Sequence, residues 1–160
     1  MNPRIEIFPE TKLLGMRTSM SFANNKTKEL WQDFMPRRKE IRNPVNTNLY
    51  SVELYHDTAF FIHFDPAKEF EKWAAIEVDG FDSIPGNMYA LVIPESEYAV
   101  FNYKGRPSEA RGTYQFIYSK WIPNSGYTLD NRPHFALMGE KYKGESPDSE
   151  EELWIPIRTK

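Results

Sequence analysis

Hydrophobic periodicity along the 160 residues switches between two and 3.6 in the same order twice, which restricts the possible folds more than any other feature. Two alternating runs, 4–8 and 12–22, carry Ile5, Ile7, Leu14 and Met16, with Pro9 between them and Asn24-Asn25 at their close. Leu30, Trp31, Phe34 and Met35 then follow helical spacing over 27–38. Arg37 and Arg38 fall at the end where the helix dipole favours cations, and Pro36 bends or shortens the last turn. Alternating strands follow at 49–56 and 70–79. The same order returns as strands at 88–93 and 98–104, a helix at 108–121, and strands at 134–142 and 151–158. Ser108 and Glu109 predict an N-cap with an acidic first turn, and Pro123 with Gly126 predicts the helix end.

The expectation is one α+β domain over 1–160, a duplicated strand-helix-strand-strand unit with repeats at about 1–80 and 81–160. Pseudo-two-fold symmetry would leave a ligand cleft between the halves. Residue matches support the duplication. Trp31 and Phe34 precede Tyr114 and Ile117 by 83 positions, and Glu71-Lys72-Trp73 returns 81 positions later as Glu152-Leu153-Trp154, with Ile76 meeting Ile157 at that same offset.

Strand alternation sorts these residues onto two faces. If Lys72, Ala74, Ile76 and Val78, with Leu153, Ile155 and Ile157, pack under the helices, then Glu71, Trp73, Glu152 and Trp154 point the other way. Burying Tyr50, Val52 and Leu54, or Phe135 and Leu137, in the same layer turns Glu53 and Tyr55, or Met138 and Glu140, to that opposite side. The expected cleft thus carries carboxylates and aromatic faces. Such a cleft suits an organic cation, attracted by ring quadrupoles and countered by a partly desolvated carboxylate. Glu152 reads either as that counter-charge or as part of a solvated run, Glu150 to Glu152, at a strand entrance.

Composition narrows the function classes. Twenty Lys and Arg against 23 Asp and Glu give a net charge of -3, with no global attraction to a phosphate backbone. No cysteine is present, which removes thiol nucleophiles, disulfides and sulfur-bound metal, and points to the cytoplasm. No apolar stretch approaches the roughly 18 residues of a membrane span. Aromatic residues make up 15% of the chain, a content that suits either an aromatic-lined cleft or an aromatic-rich core.

Here the residues carry a resemblance. Tyr98-Ala-Val-Phe-Asn-Tyr-Lys-Gly105, the helix after it and Glu152-Leu-Trp-Ile-Pro-Ile157 resemble the GyrI-like small-molecule-binding domain, as do Trp73-Ala-Ala-Ile-Glu-Val78 and Ile84-Pro-Gly86. That domain is also the effector-binding half of bacterial AraC-type and MerR-type transcription regulators. The resemblance covers essentially the whole chain. It implies a cleft that takes lipophilic or cationic compounds, multidrug-like in range, with a late-strand glutamate meeting the positive charge. Carried over, that acid is Glu152, with Glu140 on the preceding strand; alternation and the repeat add Trp73 and Trp154 as walls, Tyr55 beside them and Glu71 as the symmetry-related acid. It further implies a stand-alone sensing or sequestering protein, since 1–160 leaves no room for a helix-turn-helix reader. The alternatives are a protein-protein inhibitor of the gyrase-inhibitor type and a hydrolase using a cleft glutamate.

Other constellations carry less. His56, His63 and His134 lack zinc-site spacing, and no cofactor or metal is expected. No Gly-x-Ser-x-Gly elbow, Walker loop or dinucleotide fingerprint occurs, so no catalytic residue is assigned. The basic patch Arg37, Arg38, Lys39 and Arg42 reads as a solvated helix end, and 145–152 as a hairpin loop or a lid.

Overall fold

The structure, a computed structural model, describes residues 2–160. Its strands are β1 (Arg4–Phe8), β2 (Thr11–Met20), β3 (Leu49–Leu54), β4 (Phe70–Glu77), β5 (Tyr89–Ile93), β6 (Ser96–Lys104), β7 (Tyr127–Leu129), β8 (His134–Met138) and β9 (Glu150–Thr159). Helix α1 (Thr27–Arg37) follows β2. After β6 comes a second helical stretch: a 3-10 turn (Pro107–Glu109), α2 (Arg111–Phe116), a π-helical turn (Ile117–Trp121) and α3 (Ile122–Asn124). Pro123 therefore sits inside the last turn instead of beyond the helix end.

All strand pairs are antiparallel, in the order β1-β6-β9-β8-β3-β4-β2-β5, with β7 added beside β9. Two short links decide the shape. β1 and β2 are separated by Pro9 and Glu10 alone, yet lie six inter-strand steps apart, roughly 29 Å in a flat sheet at about 4.8 Å per step. A two-residue link spans on the order of 10 Å. The sheet must therefore curl until its two margins approach, and Pro94-Glu95, between β5 and β6, imposes the same condition from the other half. The halves thus exchange their first strands, β1 joining β6 and β5 joining β2.

The curl creates a helix-free interior. Phe8, Leu13, Tyr50, Val52, Trp73, Ala75, Ile93, Tyr98, Val100, Phe135 and Trp154 fill it, and Phe8 from the margin lies 4.9 Å, centroid to centroid, from both Phe135 and Trp154. The outer face splits into two layers. Leu14, Ala74 and Ile76 of the sheet meet Leu30 and Phe34 of α1, while Phe101, Leu153, Ile155 and Ile157 meet Ile117 of the second helical stretch. Phe34 and Ile117, the pair suggested by the helix match, are both fully buried.

The central strands correct one expectation. Tyr50, Val52, Leu54, Phe135 and Leu137 line the half-barrel interior instead of packing under the helices, so Glu53 and Tyr55 point to the helix side. Four consecutive residues of β3 are buried, and a strand buried on both faces loses the alternation that reveals its phase. The β3–β8 register fits a two-fold through Ser51 and Ala136, which equates Trp73 with Glu152, and equally one through Val52 and Phe135, which equates Glu71 with Glu152 and Trp73 with Trp154 at the 81-residue offset.

Gly15 marks a close backbone approach, because a Cβ there would sit 2.0 Å from the Ala74 carbonyl oxygen. Gly15→Val is expected to unfold the domain or cost at least about 3 kcal/mol in urea denaturation. A cost below 1 kcal/mol would show that β2 shifts freely against β4.

Candidate functional site

The acids and tryptophans singled out from the sequence form two matching clusters in the half-barrel. Trp154 donates from Nε1 to Glu152 at 3.2 Å, and Arg4 donates from Nη2 to the same carboxylate at 2.6 Å while lying 5.9 Å from the Trp154 ring centroid. In the other half Trp73 Nε1 donates to Glu71 at 2.6 Å, and Arg17 lies 4.0 Å from that carboxylate and 3.8 Å over the Tyr89 ring. Each acid and its ring thus has a cation beside it, Arg4 reaching Glu152 from the exchanged strand β1. Trp73 and Trp154 are almost fully buried, as core residues are. With side chains 40% and 32% exposed, the Arg4–Glu152 pair is worth little. Glu152→Gln is accordingly expected to change urea stability by less than about 1 kcal/mol.

Glu140 lies apart from these rings, in an open groove of about 320 Å³ with Asn48, Asn102, Lys141 and Glu150 to Glu152. Tyr55, the remaining candidate, turns to the helix side, where its ring meets Phe60, Phe61, Phe70 and His134 at 4.6–5.0 Å.

The helix side of the sheet is where the buried charge collects. Glu53 on β3 is held by Lys72 of β4 at 2.9 Å, with side chains only 11% and 12% exposed. Glu151 on β9 is 9% exposed and reaches the open groove beside Glu140 and Glu152. Around these groups stand half-buried rings from α2, the π turn and the long β3–β4 connection: Tyr114, Tyr118, Phe61 and Tyr55. Tyr118 shares a 2.8 Å hydrogen bond with His134 Nδ1. The π turn helps set the phase of this stretch, burying Ile117 and turning Tyr118 to His134; such turns recur at functional sites.

The electrostatics follow from burial. Loss of solvation pushes Glu151 up to about 7, the Glu53 charge adds to the rise, and Lys72 opposes it. Burial raises Glu53 as well, against its Lys72 partner. Desolvation, helped by Arg132, pushes His134 down to about 3, so it is a neutral hydrogen-bonding partner and not a second cation. Desolvation and the Glu53 charge keep the phenols of Tyr55, Tyr114 and Tyr118 protonated, and Tyr114 also feels Glu151. The helix side of the sheet thus carries neutral phenols and two carboxylates against one ammonium.

Sequence reasoning missed Glu53, Lys72, Tyr114, Tyr118, His134 and Glu151 as a set. One signal was present for Glu151, which has the parity of Leu153, Ile155 and Ile157, the residues read as packing beneath a helix.

A curled antiparallel sheet carrying two helical stretches is matched by known proteins. The model of the GyrI-like small-molecule-binding domain matches residues 1–158. The chain belongs to this family. Transcriptional regulator BrlR of Pseudomonas aeruginosa is 27% identical over 159 residues, a match covering 98% of this chain and 56% of BrlR. The GyrI-like chain therefore spans about half of that regulator's length. Among solved structures, SAV2435 bound to tetraphenylphosphonium superposes with a TM-score of 0.73 at 15% identity, covering 99% of this chain and 94% of that one. The C-terminal domain of EcmrR gives 0.71 at 20% identity, over 99% and 98% of the two chains. At these identities the structural likenesses establish the fold. No helix among the described residues is long and apolar enough to cross a membrane.

Proposed function

We propose that this GyrI-like domain is an effector-binding module for lipophilic cations, which it takes into the helix-side cleft against Glu151. The observation that carries the reading is a largely desolvated carboxylate that forms no salt bridge, with the half-buried rings of Tyr55, Phe61, Tyr114 and Tyr118 on the same side of the sheet. Desolvating a carboxylate is costly unless a positive charge compensates it. Here the fold supplies one ammonium, Lys72, and spends it on Glu53. A ligand cation would restore the balance at Glu151, and the rings would attract it through their quadrupoles. In this reading Tyr55 keeps the wall role expected from the sequence. Glu71, Trp73, Glu152 and Trp154 serve the half-barrel interior, where Arg4 and Arg17 already compensate the acids. That SAV2435 has been solved with tetraphenylphosphonium makes this compound the natural probe.

The test is thermal shift with tetraphenylphosphonium, neutral tetraphenylmethane and anionic tetraphenylborate. A ligand specific to the folded state, present at about 100 times its dissociation constant, stabilises by about 2.7 kcal/mol. Stabilisation confined to the cation is the expected outcome. Equal shifts with all three probes, or none, would contradict an acidic site. Affinity for the cation is also expected to rise between pH 6 and pH 8 as Glu151 ionises, measured by calorimetric titration.

A further inference from the structure

We propose that Phe61 occupies the position of a ligand ring, so that the cleft selects cations bearing a flat aryl group and admits them only when the β3–β4 connection withdraws. This rests on the cation-binding reading above and adds the ligand class and the gate. The observation is a ladder of near-parallel rings. Phe61 lies on Tyr118 with centroids 3.8 Å apart and planes inclined by 6°, and Tyr118 is in turn 10° from Tyr114. The place Phe61 fills on Tyr118 therefore has the spacing of an aryl–aryl stack. A ring attached to a positive centre suits that position better, because its reduced electron density is attracted to the electron-rich face of Tyr118.

The surroundings of Phe61 are those of a binding slot. The edge of Tyr55 closes one side at 4.9 Å, and His134 stands 6.3 Å away. The Glu53 charge reaches the hydroxyls of both Tyr55 and Tyr118, so a ring in this slot lies in the field of an acid. Phe61 is carried by a long connection. Residues 55–69 join two adjacent antiparallel strands, a task two to five residues ordinarily perform, and long connections of this kind are commonly lids. No strand or helix lies within it. Its backbone bonds are local turns at Asp57, Ala59 and Asp65, plus one bond from Ala23 N–H to the Pro66 carbonyl. Phe60 anchors it against Phe22, Phe70 and Tyr55, whereas Ile62 is 75% exposed.

The experiment compares tetraphenylphosphonium with tetrabutylphosphonium, of equal charge and without rings, by calorimetric titration at pH 8. The wild-type protein is expected to bind the aryl cation at least ten-fold more tightly. Phe61→Ala removes the resident ring and is expected to tighten both cations by about three- to ten-fold, since the competent state no longer has to displace it. Phe61→Leu, which keeps apolar bulk and guards against a loosened lid, should fall between. Tyr118→Leu should collapse the aryl preference, whereas Tyr118→Phe, which keeps the ring, should retain it. Weaker binding of the aryl cation to Phe61→Ala would overturn the proposal, because Phe61 would then be a wall touching the ligand. An unchanged aryl preference in Tyr118→Leu would overturn it too. Either result would leave cation binding intact, whereas no binding of either cation to any variant would overturn both readings.

Discussion

Glu151→Gln is expected to weaken tetraphenylphosphonium binding at pH 8 by about 30-fold or more and, at the same pH, to make the unliganded domain more stable. Both effects have one origin. In the free protein the Glu151 carboxylate is buried beside the Glu53 charge with only a distant share of Lys72, and its titration is displaced from the ordinary carboxylate range to about 7. Removing the acid takes away the counter-charge of a desolvated pair, a loss typically of 2 kcal/mol or more, which is the stated factor in affinity. The stability effect has a definite sign. A carboxyl whose folded pKa is raised binds its proton more tightly in the native state. Its contribution is therefore complete below the unfolded value near 4.5 and is lost as pH rises to and through 7. The full displacement corresponds to about 3 kcal/mol, roughly 6–10 °C in melting temperature for a domain of this size. Calorimetric melting of wild type and variant at pH 4.5 and pH 8 should show the curves separated at the higher pH and close together at the lower. A variant that lost stability at pH 8 would mean the carboxylate is a structural partner.

Trp154→Ala carries the other large effect, about 3–5 kcal/mol of lost stability by urea denaturation. Its ring stacks on Phe135 with a 10° inclination and receives the edges of Phe8 and Tyr98, so that it ties β9, β8, β1 and β6 together across the curl. Truncation would leave a cavity among rigid aromatic neighbours that cannot collapse around it. Trp154→Phe should recover much of the loss. A cost below 1 kcal/mol for the alanine variant would show that the half-barrel interior is loosely filled, and would return Trp154 to consideration as a ligand wall.

The contrast between these two residues shows how far the sequence is legible. Every strand but β7 and both helical stretches are visible in periodicity, because edge strands and single-faced helices keep their alternation. Pro9 and Pro94 mark breaks, yet nothing local says that the links beside them join opposite margins of one sheet; that is a property of pairing order. The phase of β3 and β8 is lost where both faces are buried, and with it the placement of Glu53 and Tyr55. Glu151 illustrates a different obstacle. Its parity with Leu153 places it beneath the second helical stretch, but its neighbours Glu150 and Glu152 make it look like one member of a solvated run. Glu152 and Trp154 do point away from the helices, as alternation indicates. What alternation does not reveal is that Arg4, almost the whole chain away in sequence, already neutralises the acid.

The most direct test of the central claim is a crystal structure with tetraphenylarsonium, whose arsenic gives an anomalous peak independent of any interpretation of the surrounding density. The expected peak lies on the helix side of the sheet, with Glu151 the nearest carboxylate at about 4–6 Å, Tyr114 and Tyr118 against the phenyl groups and Phe61 displaced from its ring position. A peak nearest Glu140 or Glu152 in the open groove, with Tyr114, Tyr118 and Phe61 untouched, would contradict the account and return the site to the residues singled out from the sequence.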